Sequence, residues 1–120
     1  MGNPTPTMTA PSNIGAIEKV VAPLPVVLTE FTAVRAGRAA LLSWRTASEQ
    51  NNAYFTVEGS TDGVVFKRLG MVAGHGTSIL AHTYQYSDTT LIGTATGTAY
   101  YRLQQVDANG KVTYSPLRVL

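Results

Sequence analysis

The sequence predicts an all-β fold, a seven-stranded antiparallel β-sandwich with Greek-key connections. After Pro25 the chain divides into short runs rich in valine, threonine and aromatic residues, which clusters of glycine, aspartate, asparagine and serine separate. Several runs alternate apolar and polar residues, the period of a strand with one buried face. A chain of 120 residues has the size of one domain, and no run after Pro25 has a convincing helical period. Strands at this spacing within one domain are typical of a sandwich.

Residues 1–23 are predicted to form an extended tail or linker ahead of a domain that covers residues 24–120. The opening MGNPTPTMTAPS is rich in proline and threonine and has little to bury. The run IGAIEKVVA follows; its apolar residues fit one face of a helix, although its valine pair also suits a strand, so periodicity leaves this choice open. We expect this run to act as an added strand or assembly arm through four residues: Ile14, Ile17, Val20 and Val21.

The first three strands are predicted at residues 26–34, 39–46 and 53–59. In the first strand the apolar residues change face, which predicts a bulge near Thr29 and Glu30. The second strand alternates regularly and directs Trp44 toward the core, and the third directs Phe55 inward. The hydrophilic stretch SEQNN between the second and third strands is predicted to be a loop.

The other four strands are predicted at residues 64–72, 82–88, 98–106 and 111–120. The turns STDG and DANG each end in a glycine suited to positive φ, and AGHGTSILA is predicted to be a loop. The predicted core consists of ten inward-facing residues: Phe31, Leu42, Trp44, Phe55, Val57, Phe66, Tyr84, Tyr86, Tyr101 and Leu103.

Composition excludes several classes of function. The net charge of +2 is small, and the basic residues are scattered singly, so we expect no nucleic acid partner. The chain has no cysteine, which excludes disulfides, thiol nucleophiles and zinc-thiolate sites. No apolar run approaches the roughly 20 residues of a membrane-spanning helix, so membrane insertion is not expected.

No catalytic, cofactor-binding or metal-binding residues are predicted. The seven carboxylates fall in separate strands and turns, and no nucleophile elbow, phosphate loop or dinucleotide motif is present. His75 and His82 are the only histidines, and no third metal ligand is evident from the sequence. The segment from Asp107 to Gly110 lacks the later ligands of a calcium loop and fits a turn.

Four residues of the domain are predicted to take part in interactions: Glu49, Tyr54, Tyr100 and Tyr114. Glu49 lies in SEQNN, whose polar side chains either hydrogen-bond their own loop or form a ligand-binding tip. The three tyrosines lie on outward-facing positions, where they either pack across strands or stack on sugar rings.

Three stretches carry a resemblance to a known family: LPVVLTEFTA followed by ALLSWRTASEQNNAYFTVEGSTDGVVF, then HTYQYSD, and then AYYRLQQVDANGKVTYS. They resemble the fibronectin-type-III-like module of secreted Bacteroidetes proteins, which commonly precedes a type IX secretion sorting domain. The resemblance covers residues 24–120. It implies an immunoglobulin-like sandwich outside the cell or on its surface, with no catalytic residues to carry over.

We therefore predict a non-catalytic extracellular module that acts by structure and association. Its expected partners are neighbouring domains or other copies of itself, joined through the N-terminal run into an oligomer or a surface fibre. The alternative is a carbohydrate-binding or adhesive accessory module of a larger secreted protein, with glycans as its partners.

Overall fold

The computed structural model describes residues 26–90 and 98–120. The strands of these residues, in chain order, are β1 (Val26–Ala36), β2 (Ala39–Ser60), β3 (Lys67–Ser78), β4 (His82–Asp88), β5 (Tyr100–Asp107), β6 (Val112–Tyr114) and β7 (Arg118–Val119). Every pairing between them is antiparallel. The predicted all-β, antiparallel fold is therefore confirmed for the described part of the chain.

The long strand β2 organises the sheet because it pairs with four other strands. Its first half lies between β1 and β4, and its second half lies between β3 and β5. Strands β6 and β7 then pair with β5. The result is a single sheet that curls around one core, to which both halves of β2 contribute buried side chains.

The SEQNN stretch is part of β2, so its prediction as a loop between two strands was wrong. The register of β2 against its partners shifts between Glu49 and Asn52 and again before Tyr54. Asn51 adopts a positive φ of 52° at the same place. These irregularities turn the chain from one half of the sheet to the other while it stays extended, as β-bulges do at the corners of barrels and sandwiches.

Trp44 lies at the centre of the core. Its ring stacks on Tyr84 at a centroid distance of 5.6 Å and meets Phe55 and Phe31 edge to face at 5.5 Å and 6.5 Å. Aromatic pairs of this kind contribute about 0.5–1.5 kcal/mol each beyond the area they bury. The buried core residues are Phe31, Ala40, Leu42, Trp44, Phe55, Val57, Tyr84, Ala99, Tyr101 and Leu103.

Two predicted core residues lie elsewhere. Tyr86 is only partly buried at the edge of the core, and its hydroxyl donates to the carbonyl of Leu69. Phe66 precedes β3, and its ring lies under the guanidinium of Arg102. Its prediction as a core residue was wrong because the chain has not yet entered the sheet at this position.

Strand β3 begins later and ends later than the sequence predicts. The backbone amides of the two valines after STDG donate to Asp62 Oδ1, which keeps them in the turn. The predicted loop AGHGTSILA is strand as far as Ser78. Gly74 makes this extension possible, because a Cβ there would lie 2.5 Å from Asn52 Nδ2 and 2.7 Å from its carbonyl oxygen.

Three other local predictions can be compared with the structure. The predicted bulge in β1 is confirmed by register shifts on both sides of Leu28. The turn glycines Gly63 and Gly110 adopt positive φ, as predicted. The last predicted strand is divided into β6 and β7, because the hydroxyl of Ser115 accepts from the amide of Leu103 and a proline without an N–H follows.

Candidate functional site

Glu49 lies in a buried polar cluster at the corner of β2, and its side chain is fully shielded from solvent. Its Oε1 accepts hydrogen bonds from Asn52 Nδ2 at 2.8 Å and from the backbone amide of His75 at 3.0 Å. Its Oε2 accepts from Thr46 Oγ1 at 2.8 Å and from the Tyr84 hydroxyl at 2.5 Å. We call these five residues the polar cluster. Through these bonds the Glu49 carboxylate joins β2 to both β3 and β4.

The electrostatics of the polar cluster keep Glu49 charged and Tyr84 protonated. Burial alone would raise the pKa of Glu49, but its four hydrogen bonds outweigh burial and hold the pKa below its ordinary value. Burial and the bond to Glu49 raise the pKa of Tyr84. The Tyr84 hydroxyl therefore remains a donor to a carboxylate that stays ionised at neutral pH.

The two histidines come together beside this cluster, because the end of β3 and the start of β4 both meet β2 near its corner. Nδ1 of His75 lies 2.6 Å from the Tyr84 hydroxyl oxygen. Since the Tyr84 proton goes to Glu49, Nδ1 must carry a proton and donate to that oxygen. The His75 ring stacks on His82, with centroids 3.6 Å apart and planes 7° apart.

Glu49 is also the third potential metal ligand that the sequence did not reveal. Ligand atoms of Glu49, His75 and His82 lie within 4.8 Å of one another. However, the carboxylate already accepts two hydrogen bonds on each oxygen. A metal ion also lies close to the plane of each imidazole that binds it, and two nearly parallel stacked rings cannot both meet this condition. The arrangement fits a hydrogen-bonded cluster that fixes the corner of β2.

A second group of polar and aromatic side chains lies on the sheet face opposite the core and centres on Arg102. The Nε of Arg102 donates to Glu58 Oε1 at 2.7 Å. Its guanidinium lies over the Phe66 ring at 4.2 Å and over the Tyr114 ring at 4.3 Å. Gln104 Nε2 donates to the Tyr114 hydroxyl at 3.2 Å. These contacts hold a cation, a carboxylate and two rings in fixed positions.

Tyr54 lies on the same face as this group. Alternation along β2 puts Tyr54 and Glu58 on one side, and the register pairs Glu58 with Arg102. Tyr114 is 50% exposed, and Tyr54 is half-buried. Strand geometry puts the Cα atoms of the two tyrosines roughly 12 Å apart, two strands across and two residues along. We call this surface the outer face, formed by Tyr54, Glu58, Phe66, Arg102, Gln104 and Tyr114.

The third predicted tyrosine, Tyr100, lies at the far end of β5. Its ring carbons are 3.2–3.4 Å from the position that a Cβ would take on Gly63, so the ring packs directly on the STDG turn. Tyr100 therefore packs on a turn, whereas the two interpretations from the sequence were packing across strands and stacking on sugar rings.

An apolar groove of about 280 Å³ opens between the start of β1 and β6. The core side chains of Phe55 and Leu103 line it, together with Val26 and Leu28 from β1. On the β6 side it is lined by Lys111, Thr113 and Tyr114. The floor of the groove thus reaches two core side chains that are themselves buried, while Val26 and Leu28 at its side are only partly buried.

The remaining predicted contact residues, Ile14, Ile17, Val20 and Val21, lie outside the described residues. Within residues 26–90 and 98–120, there is no helix with the length and apolar character needed to span a membrane.

The comparisons with known proteins identify the fold. No protein-family profile matches the chain, and no curated protein matches it. Among solved structures, an Fn3-like protein from Clostridium thermocellum is 25% identical, with a TM-score of 0.56 and coverage of 80% of this chain and 91% of that one. The fold is therefore fibronectin-type-III-like.

Two enzymes also contain a part with this fold. A pectate lyase from Pectobacterium carotovorum is 17% identical over 78% of this chain, with a TM-score of 0.56. A β-1,2-glucanase from Parabacteroides distasonis is 19% identical over 88% of this chain, with a TM-score of 0.57. The chain covers only 26% and 13% of these two proteins. At this identity the likeness concerns the fold alone.

Proposed function

We propose that the chain is a non-catalytic extracellular interaction module that binds carbohydrate through the outer face. The observation that carries this proposal is the fixed group around Arg102, in which rings and hydrogen-bonding side chains share one face of the sheet and Tyr114 is exposed. Aromatic rings offer apolar faces to sugar rings, and guanidinium, carboxylate and amide groups offer hydrogen bonds to hydroxyls. Because Arg102 is already held by two rings and Glu58, little side-chain freedom would be lost on binding.

The comparisons support an accessory role for such a module. The pectate lyase and the β-1,2-glucanase are named for polysaccharide-directed activities, and the chain is similar to a minor part of each. The Fn3-like protein, in contrast, is covered almost entirely. A small domain of this fold attached to larger carbohydrate-related proteins fits this pattern. The proposal also includes the features that the Bacteroidetes resemblance implies, namely Greek-key sandwich order, secretion and a cell-surface or extracellular location.

The test is binding of the full chain to soluble polysaccharides, with polygalacturonate and β-1,2-glucan among them, by affinity electrophoresis and calorimetry. Tyr114→Ala and Arg102→Gln should each weaken binding about tenfold or more, equivalent to about 1.4 kcal/mol. Thr83→Ala, an exposed change on β4 away from the outer face, is the matched control and should bind normally. Absence of binding across the panel, or equal binding by all variants, would contradict the proposal.

The non-catalytic part of the proposal has its own test. The full chain is incubated with the polysaccharides that it binds, and chain length and reducing ends are followed over time. We expect no change, and reproducible cleavage by the purified chain would show that the module is an enzyme.

Self-association is a second candidate function, and the apolar groove favours it. An apolar groove next to the start of β1, lined by the partly buried Val26 and Leu28, is a surface that a hydrophobic segment could cover. In this mode the partners are other copies of the chain, joined through residues 14–21, or neighbouring domains of a larger protein.

A further inference from the structure

A row of charged side chains crosses the outer face, with more positive than negative charge. The register places Arg68 of β3, Glu58 of β2 and Arg102 of β5 opposite one another on three adjacent strands. Residues opposite each other in an antiparallel pair project on the same side of the sheet, so the three side chains form one row. With strands about 4.8 Å apart, the Cα atoms of the two arginines lie roughly 10 Å apart. One carboxylate therefore stands between two guanidinium groups.

Arg68 keeps its positive charge unpaired in this row. Glu58 Oε1 accepts from Arg102 Nε at 2.7 Å, and Arg68 forms no ion pair within the described part of the chain. The Arg68 side chain is exposed, and its Nη1 donates to Met71 Sδ at 3.7 Å. Met71 is paired with Thr56, which lies on the same side of β2 as Glu58, so this contact keeps the guanidinium on that side. A thioether is a weak acceptor and neutralises no charge.

Arg102 holds further hydrogen-bond donors in a fixed position. A guanidinium has five N–H donors. The donor on Nε binds Glu58, and the four on the two Nη atoms form no hydrogen bond with any described residue. The rings of Phe66 and Tyr114 lie 4.2 Å and 4.3 Å from the guanidinium carbon, and the Arg102 side chain is only 28% exposed. These donors are therefore positioned, and partly shielded from water, before any ligand binds.

A carboxylate is the acceptor that matches these donors best. Two parallel N–H groups of a guanidinium can bind both oxygens of a carboxylate, and such charge-assisted bonds are about twice as strong as bonds between neutral groups. The protein supplies no second carboxylate from the turn after β2, because Asp62 Oδ1 accepts from the amides of Val64 and Val65 in its own turn. A carboxylate on the ligand would supply the negative charge that the row lacks, beside rings that can contact a sugar.

We infer that the outer face binds an acidic polysaccharide, with one uronate carboxylate held by the Nη atoms of Arg102 and another attracted by Arg68. This inference rests on the carbohydrate binding under Proposed function and names its class of ligand. The sugar ring that carries the first carboxylate contacts the exposed ring of Tyr114. Neutral glucans offer only hydroxyls to the same donors, so we expect them to bind more weakly.

The experiment compares polysaccharides that share a backbone and differ in charge. Calorimetry measures binding of the full chain to polygalacturonate and to highly methyl-esterified polygalacturonate, in which most carboxylates are blocked. We expect the acidic form to bind at least about tenfold more tightly at low salt. β-1,2-Glucan is the neutral reference, and polyglutamate tests charge without a sugar ring. Each should bind at least about tenfold more weakly than polygalacturonate.

Variants of the arginines locate this preference. Arg102→Gln should bring the two forms within about threefold of each other, and Arg102→Lys, which keeps the charge without the planar fork, should retain only part of the preference. Arg68→Gln should weaken binding of the acidic form about two- to fivefold at about 0.01 M salt and have no effect at about 1 M salt, because salt screens exposed charges. Arg38→Gln removes the same charge from the exposed turn between β1 and β2 and is the matched control. Circular dichroism of each variant checks that the fold is intact.

The failures of the two proposals can be told apart. If no polysaccharide binds, carbohydrate binding is wrong and this inference fails with it. If the esterified form or the glucan binds as tightly as polygalacturonate, carbohydrate binding stands and the acidic class is overturned. Equal binding of polyglutamate would also overturn it, because the surface would then bind anions in general. If the preference survives in Arg102→Gln or is lost in Arg38→Gln, the carboxylate is held at another surface and the assignment to Arg102 is wrong.

Discussion

The polar cluster makes Glu49 the residue at which a small change should have the largest effect outside the hydrophobic core. Glu49→Ala removes the acceptor of four hydrogen bonds. The hydroxyls of Thr46 and Tyr84 can rotate toward other partners, but Asn52 Nδ2 and the amide of His75 can only donate. Each buried donor left without a partner costs about 1–3 kcal/mol, so we expect a loss of about 3–5 kcal/mol in the free energy of unfolding.

Glu49→Gln should lower the free energy of unfolding by less, about 1–2 kcal/mol. The amide oxygen can replace Oε1 as the acceptor for Asn52 and His75, and the amide NH₂ can donate to the two hydroxyls. The charge assistance is lost, and the hydroxyl protons of Thr46 and Tyr84 lose their acceptor. Urea denaturation near neutral pH measures both variants, with Glu30→Gln as an exposed control that should change stability by less than about 0.5 kcal/mol. A loss below about 1 kcal/mol in Glu49→Ala would refute the view that this carboxylate holds the corner of β2.

The same carboxylate predicts a pH dependence. The folded pKa of Glu49 lies below its ordinary value of 4.5. Its contribution to stability is therefore fully present above that value and is lost as the pH falls through the unfolded and then the folded pKa. Below about pH 4.5 the wild type should lose stability more steeply than Glu49→Gln, which has no carboxyl at this position. Parallel slopes for the two proteins would contradict the assignment.

Three further changes test the fold and the outer face. Gly74→Ala should destabilise the protein by about 1–3 kcal/mol in urea denaturation, because the new methyl group meets the Asn52 backbone and not only a movable side chain. Tyr84→Phe removes the hydroxyl that joins Glu49 to His75. It should lower the free energy of unfolding, measured by thermal unfolding, by about 1–2 kcal/mol. The near-ultraviolet circular dichroism spectrum should stay unchanged, because the aromatic core remains packed. Arg102→Gln should lower the free energy of unfolding by less than about 1 kcal/mol, because the ion pair of Arg102 and its contact with Tyr114 are partly exposed. A larger loss in urea denaturation would show that the outer face has a structural role.

The parts of the fold that the sequence predicts are those governed by local patterns. Alternation in the second predicted strand put Leu42 and Trp44 in the core, and both are buried. The glycines of STDG and DANG were predicted from their turn chemistry and adopt positive φ. In each case the deciding interaction lies within a few residues along the chain.

The parts that the sequence did not predict depend on contacts between distant residues. SEQNN reads as a loop because it is hydrophilic, and it is strand because Tyr84 and the amide of His75, 35 and 26 residues away, satisfy Glu49. A local signal existed in the partners Thr46 and Asn52, each three residues from Glu49, but it does not indicate burial. The groove likewise depends on the curl of the sheet, which sets the gap between β1 and β6.

Nuclear magnetic resonance of the full chain during titration with an oligosaccharide of a bound polysaccharide tests the central claim most directly. The account predicts that amide shifts concentrate at Tyr54, Arg102, Gln104 and Tyr114 and that residues of the polar cluster and of β4 remain unchanged. Saturable shifts confined to another surface would contradict the outer face as the binding site, and no shifts with any polysaccharide fragment would contradict the account of this chain as a carbohydrate-binding module.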